Sequence, residues 1–230
     1  VIYNKVLDHG YIGLVEHWGS DEKIIEAARQ STQKGFQGWG DEMQSGDEKL
    51  LKYLWTNHHA TPFEFAGAIF EVQAPIFVFR EWHRHRTQSF SEMSARYAPL
   101  PDFAYVPTVD RLVANSRQQN KQAGTVDGAE TLTEDGAINY RDHLRGFYEF
   151  AEGNYREALR MGVPKELARL VLPVGRYSRM RASANLRNWM AFLTLREAPT
   201  AQQEIREYAT ALHQILKGCF PRTMELFERS

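Results

Sequence analysis

Positions 83–97 read HRHRTQSFSEMSARY, gathering three arginines, two histidines, three serines, a glutamate and a tyrosine in fifteen residues. Arginine donates in a planar fork that suits phosphate or a pyrimidine carbonyl, and Glu92 can accept from a ring N–H or a sugar hydroxyl. This set matches a nucleotide better than bare phosphate. A plainer reading competes with it, because cationic residues at a helix C-terminus complement the helix dipole without any ligand.

A second constellation lies at 167–196, which holds Arg169, Arg176, Arg179, Arg181, Arg187 and Arg196 and no Lys, Asp or Glu. Exclusive use of arginine favours forked recognition of phosphate or carboxylate. Val171, Leu172, Val174, Leu186, Trp189, Phe192 and Leu193 set these cations beside core. Acidic ligands, or carboxylates from other segments or neighbouring subunits, must complete them.

The remaining reactive residues point away from other chemistries. Ser94 has no obvious base within its motif, which favours positioning over nucleophilic attack. Cys219 reads as a buried or incidental thiol. His58, His59, His83 and His85 form no convincing ligand face, so no metal is expected. Trp55, Trp82 and Trp189 at helical spacing read as core. The sixteen glycines form no phosphate-binding fingerprint, leaving side chains to hold any nucleotide.

The elements that must position these residues follow from caps and periodicity. Ser20-Asp21-Glu22 opens a helix near 20–33, and Asp47-Glu48 opens another that Pro62 stops. Residues 58–64 then read as a helix-to-strand turn. Residues 65–73 read as a strand, and Pro75 starts a helix over 75–84. After Pro99, Pro101 and Pro107, a polar stretch at 110–135 reads as a surface excursion. Apolar periodicity predicts a long helix over 137–161 and helices at 165–171, 185–195 and 199–217, with a strand at 174–183. The expected fold is α+β, one compact domain over 1–230 with a mixed, largely antiparallel sheet flanked by helices.

Charge and composition narrow the partners. The 28 basic and 29 acidic residues nearly cancel, so no global field advertises nucleic acid or an anionic membrane. The sequence contains no apolar stretch approaching the roughly 20 residues that span a bilayer, and its first residues lack a signal-peptide pattern. A cytoplasmic protein is expected, and the single cysteine excludes an intrachain disulfide.

Residues 84–97, RHRTQSFSEMSARY, resemble the motif of the flavin-dependent thymidylate synthases. That motif reads Arg-His-Arg, a seven-residue gap, then Ser, usually followed by x-Arg-Tyr. Arg84, His85, Arg86, Ser94, Arg96 and Tyr97 all match. His59-Ala60-Thr61-Pro62-Phe63-Glu64 and Ala74-Pro75-Ile76-Phe77-Val78 extend the resemblance upstream. Ala168-Arg169-Leu170-Val171-Leu172-Pro173 and residues 185–196 extend it downstream. It covers most of 50–105 and 164–227.

The resemblance implies a compact α+β subunit in a homotetramer whose active sites collect residues from more than one chain. It places Thr61, Glu64, Arg84, His85, Arg86, Glu92, Asn185, Leu186, Arg187 and Ala191 against FAD. It places Glu81, Arg84, Glu92, Ser94, Ala95, Arg96, Arg169 and Arg196 around dUMP, with Arg96 and Arg169 on the phosphate and Arg196 polarising the uracil near N3. The implied reaction reduces FAD with NADPH, takes a methylene group from methylenetetrahydrofolate and ends with hydride delivery to the pyrimidine. Ser94 and Arg196 are the catalytic candidates, and no cysteine nucleophile is needed.

Three positions depart from the family. Glu81 replaces a frequent glutamine, Ala191 a frequent asparagine, and Thr200 stands where a histidine commonly precedes Ala-Gln. Two rival functions are a flavin-dependent modifier of another pyrimidine nucleotide and a noncatalytic nucleotide- or RNA-binding module.

Overall fold

Local sequence patterns account for most elements of the computed structural model, which describes residues 3–40, 46–116, 124–126 and 128–229. Five strands, β1 (Tyr3–Val6), β2 (Gly10–Trp18), β3 (Gly67–Pro75), β4 (Ser89–Glu92) and β5 (Tyr177–Asn185), form a sheet in the order β1-β2-β3-β5-β4. The pairs β1–β2, β2–β3 and β4–β5 are antiparallel. Beside β3 and β5, Leu186 N–H donates to the Ala66 carbonyl and Ile76 N–H to the Arg176 carbonyl, continuing an antiparallel register.

The α-helices are α1 (Asp21–Arg29), α2 (Gly46–Thr56), α3 (Ile76–Trp82), α4 (Val109–Ser116), α5 (Glu134–Arg160), α6 (Lys165–Ala168), α7 (Leu186–Arg196), α8 (Gln203–Cys219) and α9 (Pro221–Glu228). The α+β expectation with a largely antiparallel sheet is borne out. The strands β1, β2 and β4 and the helices α4 and α9 were not expected. Within the expected surface excursion, residues 117–123 and 127 lie outside the described residues. Among those described, no helix is long and apolar enough to cross a membrane.

The residues divide into two compact units. The first comprises Val1–Gln73, Arg80–Glu92 and Arg179–Ser230. Here α7 and α8 dock on the sheet through specific polar anchors. The Trp189 indole donates to the Ala68 carbonyl at 3.0 Å, and the Tyr208 hydroxyl donates to the Gln73 carbonyl at 2.6 Å. Gly10 permits that second contact, since a Cβ there would stand 1.9 Å from the Tyr208 oxygen. Trp82, Trp189, Phe192 and Tyr208 are fully buried, and the Trp82 and Phe192 rings meet at 4.6 Å. Truncating a tryptophan or phenylalanine in such a cluster costs about 3–5 kcal/mol.

Ser20 caps α1 as expected, accepting the Lys23 N–H at 3.3 Å. The buried Asp21 that follows accepts from the Thr223 hydroxyl at 2.6 Å and from the Arg222 N–H at 2.8 Å, fastening α1 to α9.

The second unit comprises Ala74–Phe79 and Met93–Ser178. Its long helix α5 starts at Thr133, whose hydroxyl accepts the Gly136 N–H at 3.1 Å. The first N–H groups of α3 find partners in the Val174 and Arg176 carbonyls, which satisfies donors that a helix start otherwise leaves orphaned. Arg176 is buried and meets Glu152 of α5 at 2.5 Å and Asp102 at 3.5 Å.

Candidate functional site

In the first unit, α3 ends at Trp82 and the chain turns twice. Arg84 N–H donates to the Glu81 carbonyl at 3.2 Å, His85 N–H to Trp82 at 3.0 Å and Gln88 N–H to His85 at 3.2 Å. Two side-chain bonds pin this turn. The buried Trp82 indole donates to Gln88 Oε1 at 3.0 Å, and Asn188 Nδ2 donates to the Thr87 carbonyl at 3.3 Å. The winding leaves Arg84 and Arg86 exposed and turns His85 inward. Among the described residues, neither guanidinium has a carboxylate partner. Gln88 was missed by sequence reasoning, since a single amide within a charged run carries no local signal.

His85 turns toward Arg196, at the end of α7. The guanidinium donates Nε–H to His85 Nε2 at 2.8 Å, Nη1 to Glu81 Oε2 at 2.9 Å and Nη2 to the Glu81 carbonyl at 2.9 Å. Burial, reinforced by the Arg196 charge, pushes the His85 pKa down from 6.5 to about 4. Burial pushes the Glu81 carboxyl up, opposed by Arg196 and aided by Glu204. Glu81, His85 and Arg196, expected at the site from separate stretches of sequence, thus share one hydrogen-bonded cluster.

Of the residues expected against flavin, Thr61 and Glu64 lie on a 3₁₀ turn at Thr61–Phe65, and Asn185, Leu186, Arg187 and Ala191 lie at the start of α7 or along it. Arg187 meets Glu64 at 2.5 Å. Asn185 caps α7, accepting the Asn188 N–H at 2.9 Å, while Leu186 is fully buried. Arg187 and Ala191 line a cavity of about 220 Å³ with an apolar floor from Trp55, Phe63, Met190 and Phe227 and with His58 and His59 also in its wall. Thr61 and Arg187 line an adjoining cleft of about 590 Å³ that shares His58, His59 and Ala60. Glu92 stands exposed at the end of β4, paired in register with Met180.

In the second unit, Ser94, Ala95 and Arg96 form a turn. Ser94 Oγ accepts the Arg96 N–H at 3.3 Å, and its carbonyl accepts the Tyr97 N–H at 2.9 Å. Ala95 is buried beneath. The Lys165 ammonium donates to the Tyr97 carbonyl at 3.2 Å, tying this turn to α6, and Arg169 follows α6 directly. Arg96 lies over the Tyr97 ring at 5.5 Å, and the Arg169 guanidinium donates Nε–H to the Glu166 carbonyl at 3.3 Å. Among the described residues, neither guanidinium pairs with a carboxylate.

The arginine cluster at 167–196 therefore divides. Carboxylates distant in sequence neutralise Arg176, Arg181, Arg187 and Arg196, through Glu152, Glu71, Glu64 and Glu81. Arg179 donates to Gln73 Oε1 at 2.8 Å. Arg169 joins Arg84, Arg86 and Arg96 as cations free to meet an anion.

A family model described as thymidylate synthase complementing protein matches residues 13–222. The flavin-dependent thymidylate synthase of Thermus thermophilus is 41% identical over 223 residues, spanning 97% of this chain and 77% of the relative. Its counterpart in Thermosipho africanus is 38% identical over 223 residues, spanning 97% and 92%. Among solved structures, a UMP/dUMP methylase, PolB from Streptomyces cacaoi bound with 5-Br UMP, aligns at TM-score 0.79 and 32% identity, over 98% of this chain and 96% of that one. The chain therefore belongs to the thymidylate synthase complementing protein family, which is the family of the flavin-dependent thymidylate synthases.

Proposed function

We propose that the chain is a flavin-dependent thymidylate synthase. It would reductively methylate dUMP to dTMP, with methylenetetrahydrofolate as one-carbon donor, NADPH as reductant and FAD as hydride carrier. The observation that carries this reading is the Arg196 cluster. A guanidinium has five N–H donors, and Arg196 commits three of them to His85 and Glu81. The two left over can meet adjacent acceptors on a uracil ring and stabilise negative charge developing there.

The donor set also fits FAD. Its diphosphate calls for unpaired cations, which Arg84 and Arg86 supply, and the cavity beside Arg187 and Ala191 offers an apolar floor with polar groups in its wall. Thr61, Glu64, Glu92, Asn185 and Arg187 would hold the cofactor. Leu186 would set the start of α7 from the core. Bound FAD would supply the redox chemistry.

For dUMP, Arg96 and Arg169 would bind phosphate, with Ser94 and Ala95 shaping the turn that presents Arg96. Glu81, Arg84, Glu92 and Arg196 would attend the nucleoside. Burial pushes the Cys219 thiol up, away from the thiolate a nucleophile needs, which favours chemistry without cysteine.

A homotetramer with shared active sites accords with apolar side chains left open to solvent, among them Phe150 at 70%, Leu170 at 78% and Met161 at 69%. A second reading, methylation of UMP, is favoured by the likeness to the UMP/dUMP methylase.

The test is an absorption spectrum of the purified protein, followed anaerobically as NADPH and then dUMP or UMP with methylenetetrahydrofolate are added. Flavin bleaching and a product of dTMP mass are expected. A methylated UMP product alone would select the second reading, and no flavin even after FAD reconstitution would sink both.

A further inference from the structure

Glu81 sets a carboxyl group against Arg196, and an acid rather than an amide at that place changes the charge beside the guanidinium by one. The contact is direct, since Glu81 Oε2 accepts from Nη1 and the Glu81 carbonyl from Nη2, both at 2.9 Å. The two side chains are only 26% and 18% exposed, so solvent screens the pair weakly.

The groups facing Glu81 come from three places. Arg196 approaches from α7, and the buried Glu204 from α8. His85 lies across the guanidinium and stays neutral near pH 7. Burial and Glu204 favour a proton on Glu81, while Arg196 opposes it, and the balance lies toward protonation.

We propose that Glu81 sets the charge Arg196 presents to its ligand: as a carboxylate it neutralises the guanidinium, and on taking a proton from solvent it leaves Arg196 an uncompensated cation. The inference rests on the assignment of Arg196 to the uracil ring. Glu81 then acts through Arg196 as a positioning residue, making affinity for an electron-rich ring pH-dependent. A glutamine there would hold the site permanently in its more cationic state.

The experiment measures the Kd for dUMP from the flavin absorbance of the FAD-loaded protein, in the wild type and in Glu81→Gln, in steps from about pH 8 to about pH 5. Taking the ratio of the two constants cancels the titration of the dUMP phosphate. His85, with a pKa of about 4, stays neutral across this window. Glu81→Gln is expected to bind dUMP about tenfold tighter at the alkaline end, with the ratio closing toward unity as pH falls.

A ratio that does not change with pH overturns the inference. Glu204→Gln provides a second reading that leaves Glu81 in place. Removing the like charge should move the midpoint of the wild-type pH dependence downward, and an unmoved midpoint counts against the inference even if Glu81→Gln fails to hold FAD. A wild-type protein that binds FAD but gives no saturable response to dUMP removes the proposed function and this inference together. A flat ratio between two proteins that both bind removes the inference alone.

Discussion

The Nε–H of Arg196 points at Nε2 of His85 across 2.8 Å, a bond only a neutral imidazole can accept. Arginine has no acceptor, so the His85 ring must carry its one proton on Nδ1. Two residues 111 positions apart thereby fix each other's state, and protonating the histidine would turn an acceptor into a cation facing a cation.

Acid should therefore weaken the fold through His85. Its folded pKa of about 4 lies below the ordinary 6.5, so the unfolded chain takes up a proton that the folded chain refuses. The stabilisation is complete above the unfolded value and drains away as pH falls toward the folded one. Allowing for partial exposure of the ring, the loss by pH 5 is about 1 kcal/mol, or roughly 2–4 °C in Tm. Replacing His85 with Gln should flatten this part of the Tm profile. Identical profiles for both proteins would refute the account.

Arg196→Lys keeps the charge but not the fork. A point-like ammonium cannot serve Glu81, His85 and a ligand at once. Turnover of dUMP should fall about 100-fold or more, as when a preorganised donor is lost from a site of developing charge. Flavin content should persist. A loss below about threefold would remove Arg196 from the chemistry.

Arg96→Ala and Arg84→Ala should separate the two ligands. Loss of one charge-assisted bond to phosphate costs about 1.5–3 kcal/mol, so Arg96→Ala should weaken dUMP binding by roughly 10- to 100-fold and spare FAD. Arg84→Ala should weaken both. Unchanged dUMP titrations in both variants would sink these assignments.

Two arginines of the 167–196 cluster should differ sharply in their effect on stability. Arg176 is buried against Glu152, and its removal leaves that carboxylate only the exposed Arg156, a loss of about 3 kcal/mol. Arg181 is 61% exposed and meets Glu71 at 3.4 Å, so Arg181→Ala should change stability by at most about 1 kcal/mol. Urea unfolding of the two variants checks the contrast, and equal effects would contradict it.

How much of this was legible in the sequence depended on distance along the chain. Caps and helical periodicity are local, and α1, α2, α3, α5, α7 and α8 all lie where Ser20, Asp47, Pro75 and the apolar spacing put them. β2 was missed because Gly10 and Gly13 interrupt its pattern, and Gly10 answers to Tyr208 nearly two hundred positions away. β4 hid inside the chemical motif: Ser-Phe-Ser-Glu is an edge strand, with no apolar face to announce it.

The site was legible in the same measure. The arginines at 167–196 looked unpaired because their carboxylates, from Glu64 to Glu152, lie outside any local window. Once those pairs and the Arg179–Gln73 bond are taken away, Arg169 remains, along with Arg84, Arg86 and Arg96 of the first constellation.

The bond between the Trp82 indole and Gln88 has a thermodynamic consequence. A turn that leaves α3 at one end and is held at the other, at Thr87 and Gln88, by a half-buried and a buried donor loses little further freedom when something settles on it. Arg84 and Arg86 thus leave a backbone already fixed before any ligand arrives, and the entropy of ordering that segment was spent during folding. Affinity at such a turn is inherited from the core beneath it, so a change in the packing around Trp82 would be felt by an anion that never touches the ring.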